Sequence, residues 1–223
     1  VLKQSTFEKR DERTQQVVEH IKLNESVKTD ILFEGVNLDT YKPTTEFLQL
    51  PEIKESFCFL FVGHWIQGDF GHDRKNVGLL IKSFLETFKN KVNPPALILK
   101  TSQGGLSHMD RDVILKKIDD IKKTVKGKLP KIYLIYGDLT NKEMNSLYNH
   151  PKVKLMISLT KGEGFGRPLL VFTQTKKPIM TTGWSGHVDF LKSDLSILLP
   201  GTLKDVHKSA QNKWLIQGSQ WFD

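Results

Sequence analysis

The sequence has little cysteine, no long apolar run and no surplus of negative charge. Its single cysteine, Cys58, in 223 residues leaves no internal disulfide, which excludes a disulfide-stapled secreted domain. No apolar run approaches the ~20 residues that a membrane-spanning helix needs, and no signal-peptide pattern opens the chain. We therefore expect a soluble, cytoplasmic protein. Because Cys58 lies in an apolar run, we expect a small buried residue rather than a nucleophile.

Positive charge is in excess, with 33 Lys and Arg against 25 Asp and Glu and a net charge of +8. Such a surplus favours anionic ligands. The lysines between residues 116 and 128 are scattered over predicted helix faces rather than grouped with exposed aromatic residues, which favours a solvated helix face. A nucleic-acid partner is therefore not expected, although it stays an alternative on the charge alone.

From residue 57 onward, apolar strands alternate with amphipathic helices. Strands are predicted at 57–62, 96–100, 131–135, 153–157, 178–181 and 195–199. Helices are predicted at 77–89, 110–125, 141–148 and 167–175, with a helical turn near 188–191. Because most of the strands are apolar throughout, they indicate a parallel sheet covered on both faces. The predicted fold class is α/β, with a doubly wound, Rossmann-like sheet.

The chain is predicted to have three segments. Residues 1–27 are predicted as an N-terminal helical segment, 28–204 as the Rossmann-like domain, and 205–223 as a C-terminal helix. The first prediction depends on scattered apolar residues in a polar stretch, and the second begins with a strand at 28–33. The third depends on the apolar residues Ala210, Trp214, Leu215 and Trp221.

A glycine-rich stretch at 161–168 (Lys-Gly-Glu-Gly-Phe-Gly-Arg-Pro) follows a predicted buried strand and precedes a predicted helix. Unpaired main-chain amides at such a junction bind anions, and the three glycines let a ligand approach the main chain. Pro168 fits the first helical position. Because Glu163 adds an acceptor for hydroxyl groups, the stretch favours a ligand that has both phosphates and hydroxyls, such as a nucleotide-sugar.

Three stretches together resemble the C-terminal, donor-nucleotide-binding domain of GT-B fold enzymes of the glycosyltransferase family 4-like group. They are 31–43 (Ile-Leu-Phe-Glu-Gly-Val-Asn-Leu-Asp-Thr-Tyr-Lys-Pro), 59–64 (Phe-Leu-Phe-Val-Gly-His) with 74–76 (Arg-Lys-Asn), and 162–168 with 177–186 (Lys-Pro-Ile-Met-Thr-Thr-Gly-Trp-Ser-Gly). The resemblance spans about residues 28–200. It implies a retaining hexosyltransferase that transfers a sugar from a nucleotide-diphosphate donor to an unknown acceptor, with no metal or other cofactor.

The resemblance also implies roles for single residues. Lys75 matches a family lysine that contacts the donor diphosphate, and Glu163 matches the first glutamate of a Glu–seven residues–Glu motif, which contacts the transferred sugar. These two are the predicted catalytic residues. The other residues predicted to bind the donor are Gly63, His64, Arg74, Gly137, Asp138, Leu139, Gly164, Phe165 and Gly166. His64 stands where the family usually has an arginine, and Arg74 is the candidate to replace that charge. Arg74 is the weaker candidate because adjacent side chains seldom point at the same atom.

The chain departs from the family pattern in two respects. Val171 replaces the second glutamate, which in the family grips the ribose, and the lost acceptor should cost about 1.5–3 kcal/mol of binding. Donor binding is then weakened, or Thr173 holds the ribose, or nucleotide binding is lost. The chain also resembles only one half of a GT-B enzyme, so the acceptor side must come from an N-terminal half or another chain.

The sequence also allows other interpretations of the function and of two loops. The chain could be a catalytically inactive, glycosyltransferase-like module with a structural or interaction role. The loop at 64–73 is expected to be a mobile flap over the phosphates, with a metal site as the alternative. Residues 184–188 are either a loop beside the ligand or a plain turn.

Overall fold

The computed structural model divides into two compact units, Val1–Gly35 and Val36–Asp223. The predicted strand at 28–33 lies mostly outside the described residues, and its last two residues, Leu32 and Phe33, have no regular structure. The described residues are 6–22, 32–66, 68–105, 107–211, 215 and 218–223.

The first unit contains a β-hairpin where the sequence predicted a helix. Strands β1 (Thr6–Arg10) and β2 (Val17–Lys22) pair antiparallel. Between them the Asp11 carboxylate accepts a hydrogen bond from the Thr14 amide at 2.7 Å, and Gln15 is left-handed with φ 59°. Side-chain bonds of this kind build turns in competition with helix. The helix prediction, which depended on the spacing of the apolar residues, is wrong because the turn at residues 11–15 reverses the chain between the two strands.

The second unit is built on a six-stranded sheet. Its strands are β3 (Cys58–Val62), β4 (Ala96–Lys100), β5 (Ile132–Ile135), β6 (Val153–Ser158), β7 (Ile179–Thr182) and β8 (Ile197–Leu199). They lie in the order β5-β4-β3-β6-β7-β8, and all neighbours are parallel. The chain winds outward from β3 to β5 and then crosses to β6, on the other side of β3. The predicted doubly wound α/β fold is confirmed.

In the part of the chain that the structure describes, four α-helices cover the two faces of this sheet. They are α1 (Val77–Phe88), α2 (His108–Lys123), α3 (Asn141–Asn149) and α4 (Arg167–Thr173). Helices α1 and α2 pack on one face, and α3 and α4 pack on the other. No helix among the described residues is long and apolar enough to cross a membrane.

The core lies on both sides of the sheet, which explains the apolar runs in the sequence. In β3, Leu60 faces the α3 and α4 side while Phe61 faces the α1 and α2 side, and both are fully buried. Cys58 is also fully buried, and burial raises the pKa of its thiol to about 11. The thiol therefore stays protonated at neutral pH, as expected of a packing residue.

The C-terminal residues form a second small sheet rather than the predicted helix. Strand β9 (Leu203–Asp205) pairs antiparallel with β10 (Gln220–Phe222), and a 3-10 helix, Lys208–Ala210, lies between them in sequence. Gly218, with φ 81°, turns the chain in a conformation that favours glycine. The helix prediction is therefore wrong for the described residues. Trp214, on which it partly depended, lies outside them.

We expect Leu60→Ala to lower the free energy of unfolding of the second unit by about 2–5 kcal/mol, because it leaves a cavity between the sheet and its helices. Urea denaturation followed by circular dichroism measures the change. Leu195→Ala is the matched control, since Leu195 is 78% exposed, and it should change stability by about 0.5 kcal/mol or less. Equal effects of the two substitutions would contradict this placement of the core.

Candidate functional site

The strand order creates a switch point at one edge of the sheet. Strands β3 and β6 are neighbours, but the chain leaves them toward opposite sides of the sheet. In doubly wound domains such a switch point, at the carboxyl ends of the strands, is where ligands bind. The loop at 63–76 follows β3, and the loop at 159–166 follows β6. The fold defines the chain as a Rossmann-like α/β domain, and this edge of the sheet is where its candidate ligand site lies.

Lys75 and Glu163 meet across this switch point. The Lys75 Nζ donates a hydrogen bond to Glu163 Oε1 in a salt bridge. The two side chains are only 10% and 9% exposed. Since unpaired buried charges are costly, the pair fixes the first loop against the second. The structure thus brings together the two residues that the sequence predicted as catalytic, and their roles stay a prediction.

Arg74 reaches the same carboxylate. Its Nη1 lies 3.4 Å from Glu163 Oε2 and donates a hydrogen bond to the Gly162 carbonyl at 2.6 Å. The Lys161 amide also donates to the Arg74 carbonyl at 2.7 Å. Lys75 and Arg74 contact different oxygens of one carboxylate, so the two adjacent side chains reach the same group without meeting at the same atom. Two cations and one anion therefore form a single cluster.

The pKa of Lys75 is lowered, and burial is the main cause. The Glu163 carboxylate opposes this shift, while the nearby Arg74 adds to it. The ammonium group has thus lost much of its hydration, and the neighbouring anion favours its charged form. An anionic ligand could serve as that neighbour.

The chain after β7 holds the main chain of Glu163 in place. The Ser185 Oγ donates to the Glu163 carbonyl at 2.6 Å and accepts from the Glu163 amide at 3.0 Å, and the Gly186 amide donates to the same carbonyl at 3.2 Å. A Cβ on Gly186 would overlap the Gly164 carbonyl. Residues 184–188 are therefore a support for the site rather than a plain turn. The sequence pattern alone does not indicate this role for Ser185 and Gly186.

Lys161 ties the same loop to the C-terminal sheet. It is 5% exposed, and its Nζ forms a salt bridge with Asp223 Oδ1, while Lys204 lies 2.8 Å from Asp223 Oδ2. The Phe222 amide donates to the Lys161 carbonyl at 2.9 Å, and the Phe222 ring stacks on Trp184 with centroids 6.0 Å apart. Sequence reasoning missed this contact because the partners are distant in the chain.

The remaining predicted residues lie on the same edge of the sheet but contribute differently. The His64 Nδ1 lies 2.9 Å from Ser102 Oγ, and a Cβ on Gly63 would lie 3.4 Å from Lys75 Cε. Phe165 packs on Phe190, with ring centroids 5.2 Å apart. Gly164 is exposed, and the space around its would-be Cβ is open, whereas Gly166 is buried with φ 90°.

The loop after β5 contains the residues predicted to contact the base. Gly137 has φ 97° and open space where a Cβ would stand, and its carbonyl accepts a hydrogen bond from Lys100 Nζ at 2.7 Å. Asp138 is exposed, while Leu139 packs against the core beside α3 and α4. Gly137 therefore offers main-chain access, and Lys100 is a neighbouring cation that sequence reasoning missed.

The loop at 64–73 is anchored rather than free. Trp65 and Asp73 are 4% and 1% exposed. The Asp73 Oδ2 accepts a hydrogen bond from the Val77 amide in α1 at 3.1 Å, and the Asp69 amide donates to Ser209 Oγ at 2.9 Å. The described part of this loop therefore differs from the expected flap. Among the described residues, no group of three His, Cys, Asp or Glu side chains comes together to hold a metal.

Val171 points into the core and is 5% exposed, in the cluster that contains Phe172 and Leu169. Thr173, the proposed substitute for the missing glutamate, donates its hydroxyl to the Leu170 carbonyl at 2.6 Å. The Thr173 hydroxyl also accepts a hydrogen bond from Gln174 Nε2 at 3.2 Å, so it already has partners on both sides, whereas Val171 has no acceptor group.

The fold of this chain is similar to that of a domain whose structure has been solved. The crystal structure of the C-terminal domain of a glycosyl transferase group 1 family protein (LpcC) from Francisella tularensis matches with a TM-score of 0.55 and 17% identity, over 74% of this chain and 80% of that chain. The chain therefore has the fold of the C-terminal domain of a GT-B glycosyltransferase. This likeness shows the fold alone.

A second solved structure, lipopolysaccharide outer core galactosyltransferase WaaB in its apo form, matches 69% of this chain but only 39% of that chain, at 17% identity and a TM-score of 0.41. This likeness is too low to support any conclusion. No protein-family model matches the sequence, and no curated protein sequence matches it.

Two glycine substitutions test the geometry of the loop. Gly186→Ala should lower the free energy of unfolding by about 1–3 kcal/mol, because the new methyl group overlaps the Gly164 carbonyl. Gly164→Ala, with open space around it, should change stability by about 0.5 kcal/mol or less. Urea denaturation of both variants measures the difference. Equal stabilities would mean that residues 163–166 do not pack on Gly186 as described.

Proposed function

We propose that the chain is the donor-binding domain of a retaining glycosyltransferase that uses a nucleotide-diphosphate sugar. The observation that supports this most directly is the Lys75–Glu163 pair at the switch point of the sheet. A phosphate ligand needs cations and main-chain amides, and a sugar needs a hydroxyl acceptor; both kinds of group lie within one cluster. The fold shared with a group 1 glycosyltransferase domain is in keeping with this function.

In this proposal Lys75 and Arg74 bind the diphosphate. When the sugar–phosphate bond breaks, negative charge grows on the leaving diphosphate, and cations fixed in advance stabilise that charge. Lys75 is suited to the task because it is mostly buried, where electrostatic interactions are less screened by water. No bound metal is then required to neutralise the diphosphate.

Glu163 would orient the transferred sugar. Its main chain is fixed by Ser185, so its carboxylate can hold hydroxyl groups in one geometry, which favours reaction over mere binding. Gly164 adds an exposed main chain beside it. The base would lie near Gly137, where the main chain is open to a flat ligand.

The acceptor would bind outside this domain. A GT-B enzyme reacts in the cleft between two domains, and the chain corresponds to the C-terminal one. We therefore propose that an N-terminal GT-B half, or another chain, supplies the acceptor side. Which glycan, lipid or protein accepts the sugar is outside this proposal.

A second candidate function is a non-catalytic module with a structural or interaction role. The observation that favours it is the buried position of Val171, which leaves the ribose without the carboxylate that the family uses. Loss of that contact is compatible with a domain that kept the fold and gave up donor binding.

Isothermal titration of the protein with UDP, GDP and ADP separates the two functions. The donor-binding function predicts heat of binding with one of these nucleotides at up to millimolar concentration. The absence of heat with all three would support the non-catalytic module instead.

Lys75→Met should weaken binding of the preferred nucleoside diphosphate by about tenfold or more, because a charge-assisted hydrogen bond to the ligand is lost. Titration calorimetry measures the Kd, and circular dichroism checks that the variant is folded. Lys89→Met is the matched control, since Lys89 pairs with Glu86 on the surface of the domain. If both variants bind the nucleotide as tightly as the wild type, Lys75 is not a diphosphate ligand.

A further inference from the structure

We propose that Glu163 acts as an internal competitor for the diphosphate site, so that the site selects a sugar-bearing diphosphate over a free one. The inference depends on the proposed function for the identity of the ligand. The competition itself concerns any diphosphate that reaches Lys75 and Arg74.

The contacts of the cluster show that its cations are already occupied. Lys75 is bonded to one oxygen of the Glu163 carboxylate, and Arg74 lies 3.4 Å from the other. A carboxylate resembles a phosphate in charge and in the acceptors it offers. An incoming diphosphate must therefore exchange partners with Glu163 before it can bind Lys75.

The exchange is unfavourable because the Glu163 carboxylate loses its hydrogen bond to Lys75. The Glu163 side chain is 9% exposed, so a carboxylate displaced from Lys75 and left without a new partner would be a buried, uncompensated charge. For a free diphosphate, the gain at Lys75 is offset by this loss, and the net affinity is small.

A sugar attached to the diphosphate would offset the free-energy cost of displacing the Glu163 carboxylate. Sugar hydroxyls beside Glu163 would donate hydrogen bonds to the displaced carboxylate, which restores the partners that it lost. Glu163 would thus make the site selective, because displacing its carboxylate lowers the affinity for a free diphosphate more than the affinity for a diphosphate that carries a sugar. Once the sugar has been transferred, the return of Glu163 to Lys75 would favour release of the diphosphate.

The test compares Glu163→Gln and Glu163→Asp with the wild type. Pyrophosphate is the base-free probe; UDP, GDP and ADP, together with UDP-glucose, GDP-mannose and ADP-glucose, are the nucleotide probes. We expect Glu163→Gln to lower the Kd for pyrophosphate about tenfold or more, because Lys75 loses its competitor. Glu163→Asp, which keeps the charge but shortens the side chain, should lower it less. The ratio of free nucleotide to nucleotide-sugar affinity should rise in both variants.

Glu86→Gln is the matched control. It makes the same change in net charge but removes a surface pair with Lys89, so pyrophosphate affinity should not change. Circular dichroism checks that each variant is folded. If Glu163→Gln is unstable, the pyrophosphate Kd of Glu163→Asp still tests the competition.

The outcomes separate this inference from the proposed function. Pyrophosphate affinity that stays unchanged or falls in both Glu163 variants overturns the competition, even if the wild type binds a nucleotide. No binding of any probe by the wild type or the variants overturns both. A gain in pyrophosphate affinity equal to that of Glu86→Gln assigns the effect to net charge and overturns the competition as well.

Discussion

A buried ion pair between Lys75 and Glu163 joins the two halves of the doubly wound sheet at its switch point. The residues are 88 positions apart in sequence, and only the neighbouring positions of β3 and β6 in the sheet bring them together. Removing one partner of such a pair leaves a buried charge that costs about 3–5 kcal/mol. The positions of both loops are therefore coupled to this one contact, and so is any ligand that approaches it.

The surrounding structure keeps this contact in one geometry. Ser185 and Gly186 bond the main chain of Glu163, and Lys161, just before it, is held by Asp223. On the other loop, the buried Asp73 bonds the first turn of α1, two residues before Lys75. Rigid support of this kind is what an electrostatic site needs, since charges fixed in advance do not have to reorganise when a ligand binds.

The sequence predicted the sheet well because its central strands are largely buried and form continuous apolar runs in the sequence. The resemblance to the GT-B family also implied one donor site for Lys75 and Glu163, and the structure brings the two side chains together. The two terminal segments could not be predicted from apolar spacing, because Asp11 and Gly218 set the chain direction there through turns. Ser185 and Lys161 were missed as supports for a different reason: their partners lie 22 and 62 residues away, and no local pattern encodes such contacts.

The most direct test of the site is a two-dimensional amide NMR titration with UDP, GDP and ADP. If the switch point binds the diphosphate, the amide signals that shift should belong to the loops after β3, β5 and β6, with Lys75, Glu163 and Gly164 among them. Saturating shifts confined to those loops are the result that the account predicts. Shifts confined to the opposite edge, near Phe57 and Asn93, or no shifts with any nucleotide, would contradict it.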